Sequence, residues 1–402
     1  MTKKSSPIFN QSRAVYAGLA AATLALVLIG CSNDNADSES PLSPEARLGE
    51  LIFNDASLSA SGRQSCASCH DEAHAHTPAN DLPAQFGGAD LTLQGGRSAP
   101  SLRYLDTNTA FHFDEEGTPT GGFFWDGRAA SLQAQAGGPF LNPVEMANKT
   151  VSEVVGRLAQ ASYASAFKAA FGENILNNPE SAFERMTWAL QKYQLEDKSF
   201  RPFNSKYDEY LRDKAVLNPQ ESRGLQLFKD QAKGNCAACH PAEKGADGSH
   251  PLFTDFTYDN LGVPRNPALA QNKDPAFFDL GLCEQAGGRL ADRTDLCGAF
   301  KVPSLRNVAQ RKVLFHNGHF KSLKDAVTFY VQRDTHPERW YPLNTDGTVR
   351  KFDDLPSQYH ANVNTTEAPY DRKPGDAPAL TDAEIDDLIA FLRTLDDGYA
   401  SR

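Results

Sequence analysis

Apolar residues along this chain recur mostly at helical spacing. Val154, Val155, Leu158, Phe167, Phe171, Phe183, Met186, Leu190 and Tyr193 keep to one face of a 3.6-residue period, which predicts helix through residues 151–195. Thr381-Asp382-Ala383-Glu384 is a capping box, and Ile385, Leu388, Ile389, Leu392 and Leu395 behind it form one face of a closing helix. A weak internal repeat is visible. Leu42-Ser43-Pro44 leads to Gly49 and Ile52-Phe53, and Leu217-Asn218-Pro219 leads to Gly224 and Leu227-Phe228. Pro to Gly is five residues and Gly to Phe four in both copies. Ser43 and Asn218 are good N-caps, with proline at the first helical position. Strand signals are few and short. The Gly/Pro/Asp-rich stretches 71–122, 241–300 and 334–380 are too long for ordinary connectors, so they wrap something or form docking surface. The pattern predicts a mostly α chain of two similar domains, 43–215 and 216–402, with long loops, few short strands and a link at 201–216.

The first 30 residues stand outside that pattern. Lys3, Lys4 and Arg13 precede an apolar run at 14–29, too short for a comfortable membrane span, and Leu28-Ile29-Gly30-Cys31 matches a lipobox. Residues 1–30 are therefore expected to be a lipoprotein signal peptide, with Cys31 lipidated and the polar, acidic 31–42 a flexible tether. A soluble secretory signal or an uncleaved anchor are the alternatives. Ser32, not Asp, after the cysteine points to the outer membrane, so the expected place is the periplasm, held to membrane only through lipid. Removing residues 1–30 takes the net charge from −11 to −14, since they carry three bases and no acids. That balance argues against nucleic acid. The 402 residues, 40% hydrophobic, suffice for two domains with real cores.

Candidate chemistry enters with the cysteines. Cys66-Ala67-Ser68-Cys69-His70 and Cys236-Ala237-Ala238-Cys239-His240 both read Cys-x-x-Cys-His. Two cysteines on one helical turn can bond both vinyl groups of a haem, and the next residue places an imidazole under the iron. A redox dithiol needs no such histidine, and zinc needs further paired ligands. Two covalent haem c groups are the expected cofactors, each in a cytochrome c-like domain. Cys283 and Cys297 remain, in loop-like sequence, and a disulfide is the expectation for an oxidising compartment, against two buried thiols.

Between the haem motifs lies Phe123-Phe124-Trp125-Asp126-Gly127-Arg128. With Ala99-Pro100-Ser101-Leu102, Ser131-Leu132-Gln133-Ala134-Gln135-Ala136, Asn142-Pro143-Val144-Glu145-Met146 and Phe300-Lys301-Val302-Pro303-Ser304-Leu305-Arg306-Asn307, it resembles the bacterial dihaem cytochrome c peroxidases and their MauG branch, over roughly residues 43–395. The resemblance implies an oxidoreductase using hydrogen peroxide at the His70 haem, whose distal face is open. Glu145 matches the distal glutamate and Gln135, ten residues earlier, the distal glutamine. Peroxide heterolysis needs a group that takes a proton from one oxygen and returns it to the other. Without the motif, Glu145 reads as a capping or surface carboxylate. Trp125 matches the tryptophan between the haems, though core packing is the usual fate of a Trp. Arg128 suits a haem propionate.

The peroxidases bind the second iron with a Met fourteen residues after a His in an aromatic-His-Asp-Gly segment. Here Phe315-His316-Asn317-Gly318 is followed, at that distance, by Tyr330, and the only methionines after Met1 are Met146 and Met186. The His240 haem therefore resembles the His/Tyr-ligated one of MauG; Tyr330 as an ordinary helix tyrosine is the alternative. A phenolate stabilises oxidised iron where a thioether raises the potential. The family's calcium site between the haems would fall on Ser98, Arg311 and Val313, where Asn, Thr and Pro are usual. Lys233-Gly234-Asn235 lacks the MauG surface Trp before the second motif, so a hole-exit route must differ. His74, His76 and His112 lie near the first motif, with His74 and His76 too close to His70 to reach its opposite face. The leading expectation is a MauG-like enzyme whose high-valent dihaem state oxidises Trp or Tyr of an exported partner protein. A conventional peroxidase fed by a small cytochrome or cupredoxin, and a non-enzymatic dihaem electron carrier, are the competing ones.

Overall fold

The computed structural model describes residues 41–285 and 288–400. The signal peptide at 1–30, Cys31 and nearly all of the 31–42 tether lie outside the described residues. In chain order the helices are α1 (Pro44–Asn54), α2 (Leu132–Leu141), α3 (Val151–Leu158), α4 (Ala164–Phe171), α5 (Pro179–Glu196), α6 (Lys206–Leu211), α7 (Pro219–Lys229), α8 (Leu323–Gln332) and α9 (Asp382–Leu392). Three two-stranded antiparallel ribbons join them: β1 (Phe86–Gly87) with β2 (Leu93–Gln94), β3 (His112–Phe113) with β4 (Pro119–Thr120), and β5 (Tyr258–Asp259) with β6 (Phe300–Lys301). The architecture is mostly α with few short strands. Among the described residues no helix is long and apolar enough to cross a membrane.

The Pro-x-x-x-x-Gly repeat marks two equivalent helix crossings. Ser43 Oγ accepts from Ala46 N at the head of α1, and Asn218 Oδ1 from Glu221 N at the head of α7. Gly49 then lets α1 lie directly on α5; a Cβ there would sit 2.0 Å from the Ala189 carbonyl oxygen. Gly224 does the same for α7 on α9, at 2.1 Å from the Asp387 carbonyl oxygen. The phenylalanine one turn on, Phe53 or Phe228, enters the core beneath. The first core gathers Leu48, Ile52, Phe140, Phe167, Met186 and Leu190; the second gathers Phe228, Phe253, Phe329, Ile385, Leu388 and Phe391. The packing changes over between Phe200, which belongs to the first core, and Tyr207, which belongs to the second. The expected link thus contains α6, fixed by a buried two-pronged pair in which Arg306 donates to both Asp208 oxygens at 2.9 Å.

Helix in 151–195 is broken into α3, α4 and α5. Gly172 ends α4 at φ 105°, and Asn178-Pro179 caps a new start. Helix α2 is not evident from periodicity, because Gly137-Gly138-Pro139 lowers its propensity and dilutes its apolar face.

Candidate active site: one cavity walled by both halves

Each Cys-x-x-Cys-His segment is a 3-10 turn, at Cys66–Ser68 and Cys236–Ala238, with the histidine N–H closing onto the first cysteine carbonyl. His70 Nδ1 lies 3.1 Å from the His76 carbonyl, and His240 Nδ1 2.8 Å from that of Phe253. A carbonyl only accepts, so Nδ1 carries the proton and Nε2 keeps its lone pair for a metal. Burial lowers both imidazoles, His70 to about 4, so they stay neutral and ready to ligate. Burial also pushes the Cys66 and Cys236 thiols up to about 12, which makes them poor thiolates for disulfide exchange. Among the described residues no cluster of three or more His, Cys, Asp or Glu is set to hold a bare metal ion. The four cysteines and two histidines of the two motifs line one cavity of about 600 Å³.

Trp125 lines the same cavity, at the seam between the halves. Its indole Nε1 donates to the Ser98 carbonyl at 2.8 Å. Its own carbonyl accepts from Lys301 N at 2.8 Å, while Ser98 N donates to the His316 carbonyl at 2.7 Å. These bonds are reciprocal. Ser98-Ala99-Pro100-Ser101-Leu102 and Lys301-Val302-Pro303-Ser304-Leu305 are equivalent segments, and so are Phe123–Ala129 and Leu314–Phe320, each closed by a bridge between its ends. Phe124 and Phe315 share φ near 65°, and Gly127 and Gly318 follow in the left-handed region. His316 thus stands where Trp125 does in the other half. It stacks on Phe300 with ring centres 3.5 Å apart, and burial lowers it to about 3. The sequence repeat extends this far, but only the geometry makes the pairing of Trp with His visible.

Helix α2 and the turn after it supply the wall near His70. Gln135 faces the cavity, and its amide makes no side-chain hydrogen bond among the described residues. Asn142 caps the helix and donates from Nδ2 to Glu145 Oε1 at 2.7 Å. The Glu145 carboxyl also lines the cavity; burial raises its pKa, and Asn142 and Arg128 oppose the rise. Gly87 allows β1 to pass behind, since a Cβ there would lie 2.3 Å from the Val144 carbonyl oxygen, and Gly88 N donates to the Glu145 carbonyl at 2.8 Å. The sequence assigned no role to Asn142, whose work depends on where α2 ends. Arg128 is held by both Asp126 oxygens at 2.9 Å and lies over the Phe124 ring at 3.7 Å. Asp126 in turn accepts from Arg97, which grips Asp279 of the other half with two bonds of 2.7 Å.

Helix α8 is the counterpart of α2. Ser131 and Ser322 cap them in the same way, each accepting from the residue three further on. Counting from Leu132 and Leu323, Gln135 corresponds to Ala326 and Pro139 to Tyr330; all four side chains line the cavity. One half therefore presents a proline where the other presents a phenol. Tyr330 packs on Phe315 at 5.6 Å and Tyr370 at 5.9 Å, and burial raises its pKa. Its hydroxyl takes no hydrogen bond among the described residues. His74 pairs with Asp71, and His76 stacks on Phe200 at 4.0 Å; neither lines the cavity.

A family model for the di-haem cytochrome c peroxidases matches residues 43–216. The methylamine utilization protein MauG of Paracoccus denitrificans is 36% identical over 365 residues, 88% of each chain. The chain belongs to the di-haem cytochrome c peroxidase family. Cytochrome c551 peroxidase of Nitrosomonas europaea is 33% identical over 70% of this chain and 71% of its own. The crystal structure of the diheme peroxidase BthA from Burkholderia thailandensis superposes with a TM-score of 0.82 at 41% identity, covering 89% of this chain and 87% of that one.

As a member of the family it is an enzyme acting on peroxide, and two haem c groups are its cofactors. The paired cysteines, the neutral histidines with Nε2 free and the shared cavity fit two such groups. Calcium does not fit. Arg311 Nη2 donates to Ser98 Oγ at 3.0 Å and to the Ala99 carbonyl at 3.2 Å, and its Nε donates to the Val313 carbonyl at 3.2 Å. Two of the three expected ligands are thus already bound to a cation. A calcium ion at bonding distance from those oxygens would lie about 4 Å from the guanidinium, a repulsion of roughly 8 kcal/mol at an effective dielectric of 20. The expectation of calcium on Ser98, Arg311 and Val313 is therefore corrected.

Proposed function

We propose that this enzyme is of the MauG type: peroxide is reduced at the His70 haem, and the oxidising equivalents are spent on Trp or Tyr side chains of a separate exported protein. The observation that carries this reading is the asymmetry of α2 and α8. Pro139 has no donor atom, so the His70 site keeps an open face beside Gln135 and Glu145. Tyr330 occupies the same helical position in the other half and would supply a phenolate oxygen to the iron of the His240 haem. Haem supplies the redox-active iron, and an iron ion lowers a phenol's pKa, so the raised value of Tyr330 does not bar phenolate ligation.

The residues then divide the work. Gln135 orients the bound peroxide through its unpaired amide. Glu145, aimed by Asn142, takes a proton from the near oxygen and delivers it to the leaving one. Each peroxide accepts two electrons and two protons and yields two waters. Trp125, bonded to both halves, passes electrons between the sites, and the partner's aromatic side chains supply two of them. Arg128 has part of its guanidinium free of Asp126 for a propionate. Cys283 and Cys297, with Cα atoms 4.9 Å apart, close a disulfide in the periplasm, where Cys31 anchors the chain by lipid to the outer membrane. The Burkholderia diheme peroxidase has also been crystallised as a tyrosine-to-methionine variant.

The test is peroxide added to the resting enzyme with both irons oxidised. Rapid spectral change without prior reduction supports the proposal. An enzyme inert until one haem is reduced, but turning over with a reduced small cytochrome or cupredoxin, is a conventional peroxidase instead. Resting spectra showing both haems low-spin would leave only an electron carrier.

A further inference from the structure

Arg311 is half-buried in the wall of the central cavity, and no carboxylate pairs with it among the described residues. Half-buried and buried guanidinium groups elsewhere in the chain do have acids: Arg97 has Asp126 and Asp279, and Arg306 has Asp208. Arg311 has only neutral acceptors, Ser98 Oγ and the carbonyls of Ala99 and Val313. Its Nη1 takes no partner among the described residues, on a residue that lines the cavity. An unpaired charge withdrawn from water is costly, and structures keep one when an anion or a function repays it. The cavity receives two haems, whose propionates are such anions.

The bonding partners say what else the charge does. Ser98 holds three things at once: the Trp125 indole on its carbonyl, the His316 carbonyl on its N–H, and Arg311 on its hydroxyl. Fixing Ser98 therefore fixes Trp125. We infer that Arg311 is a positioning residue that replaces a soluble divalent cation: it supplies the fixed positive charge between the two haem sites and locks Trp125 through Ser98, so the enzyme works without calcium. The inference goes beyond the proposed reaction, and its readouts do not depend on which electron donor or protein substrate is used.

A fixed positive charge favours the reduced, less positive state of nearby iron, so neutralising it moves reduction potentials negative. The holoenzyme is first dialysed against EDTA and then given calcium. The expected result is calcium well below one equivalent per chain before treatment, and resting electron paramagnetic resonance spectra and haem potentials unchanged throughout. Stoichiometric calcium whose removal alters the spectra overturns the inference, and this arm needs no variant. Arg311→Met is then expected to shift the potentials of both haems negative and broaden the resting spectrum, with Arg311→Lys restoring most of the shift. A Met variant that folds with unaltered potentials also overturns it. The double change Ser98→Asn with Arg311→Thr is expected to gain a calcium-dependent rise in melting temperature absent from the parent; no calcium response there counts against the replacement.

Discussion

At the scale of single residues, Glu145 shows how environment sets chemistry. Its carboxyl is pushed above the ordinary glutamate range by burial, while Asn142 and Arg128 limit the rise. A base must be ionised to accept a proton. The bimolecular rate with peroxide is therefore expected to climb with pH through an apparent pKa above about 4.3, the unperturbed value. Glu145→Gln should slow that step by roughly 10²- to 10⁴-fold and flatten its pH profile, as stopped-flow measurements across pH would register. Glu145, Gln135 and Trp125 could be singled out in the sequence because ordered motifs surround them, and all three line one cavity. Asn142 stood in the same motif and carried no readable role, since the bond it makes exists only once α2 stops at Leu141. Arg311 was legible only as a departure. A side chain folding back onto Ser98 and Val313 is a fact of packing, invisible to spacing.

At the scale of elements, the chain uses one plan twice and then breaks its symmetry. The helix crossings at Gly49 and Gly224 could be suspected from the repeated Pro-to-Gly interval, and the structure gives the reason: backbone meets backbone, with no room for a methyl group. Gly224→Ala should force α7 off α9 and cost about 1–3 kcal/mol, read as a lower midpoint in denaturant unfolding at unchanged slope. Helix α8 departs from its twin at Tyr330. Tyr330→Phe should convert the resting signal of the His240 haem from low-spin to high-spin while leaving that of the His70 haem in place, a change visible by electron paramagnetic resonance. The correspondence of α2 with α8 could not be read from apolar periodicity. It appears through matched serine caps and the preceding turns, which set both helices at the same place on the cavity wall.

At the scale of the whole molecule, charged ties cross between the halves. Asp397 accepts from Arg103 and Tyr104 of the first half and Asn307 of the second. Beside it, Asp396 is raised to about 7 by burial and then by its neighbour Asp397, and its Oδ1 has no partner. The folded chain holds that proton more tightly than the unfolded one. Stability from this group is thus fully present below about pH 4 and is lost as pH rises through about 7. Asp396→Asn should raise stability by about 1–2 kcal/mol at pH 8, after allowance for solvent screening, and by much less at pH 5, in thermal melts run at both. Breaking the Arg97 tie with Arg97→Ala leaves Asp279 uncompensated, while Asp126 keeps Arg128. It should cost roughly 3–5 kcal/mol by equilibrium unfolding.

Two backbone bonds swap across the seam, Ser98 N–H to the His316 carbonyl and Lys301 N–H to the Trp125 carbonyl. They are arranged as in an isologous dimer, the same patch gripping its own likeness, yet tethered within one polypeptide. Each lobe lends a stretch of main chain to the chamber of the other. Neither lobe, cut free, keeps its chamber whole, and loosening the join on one side slackens the grip around both irons together.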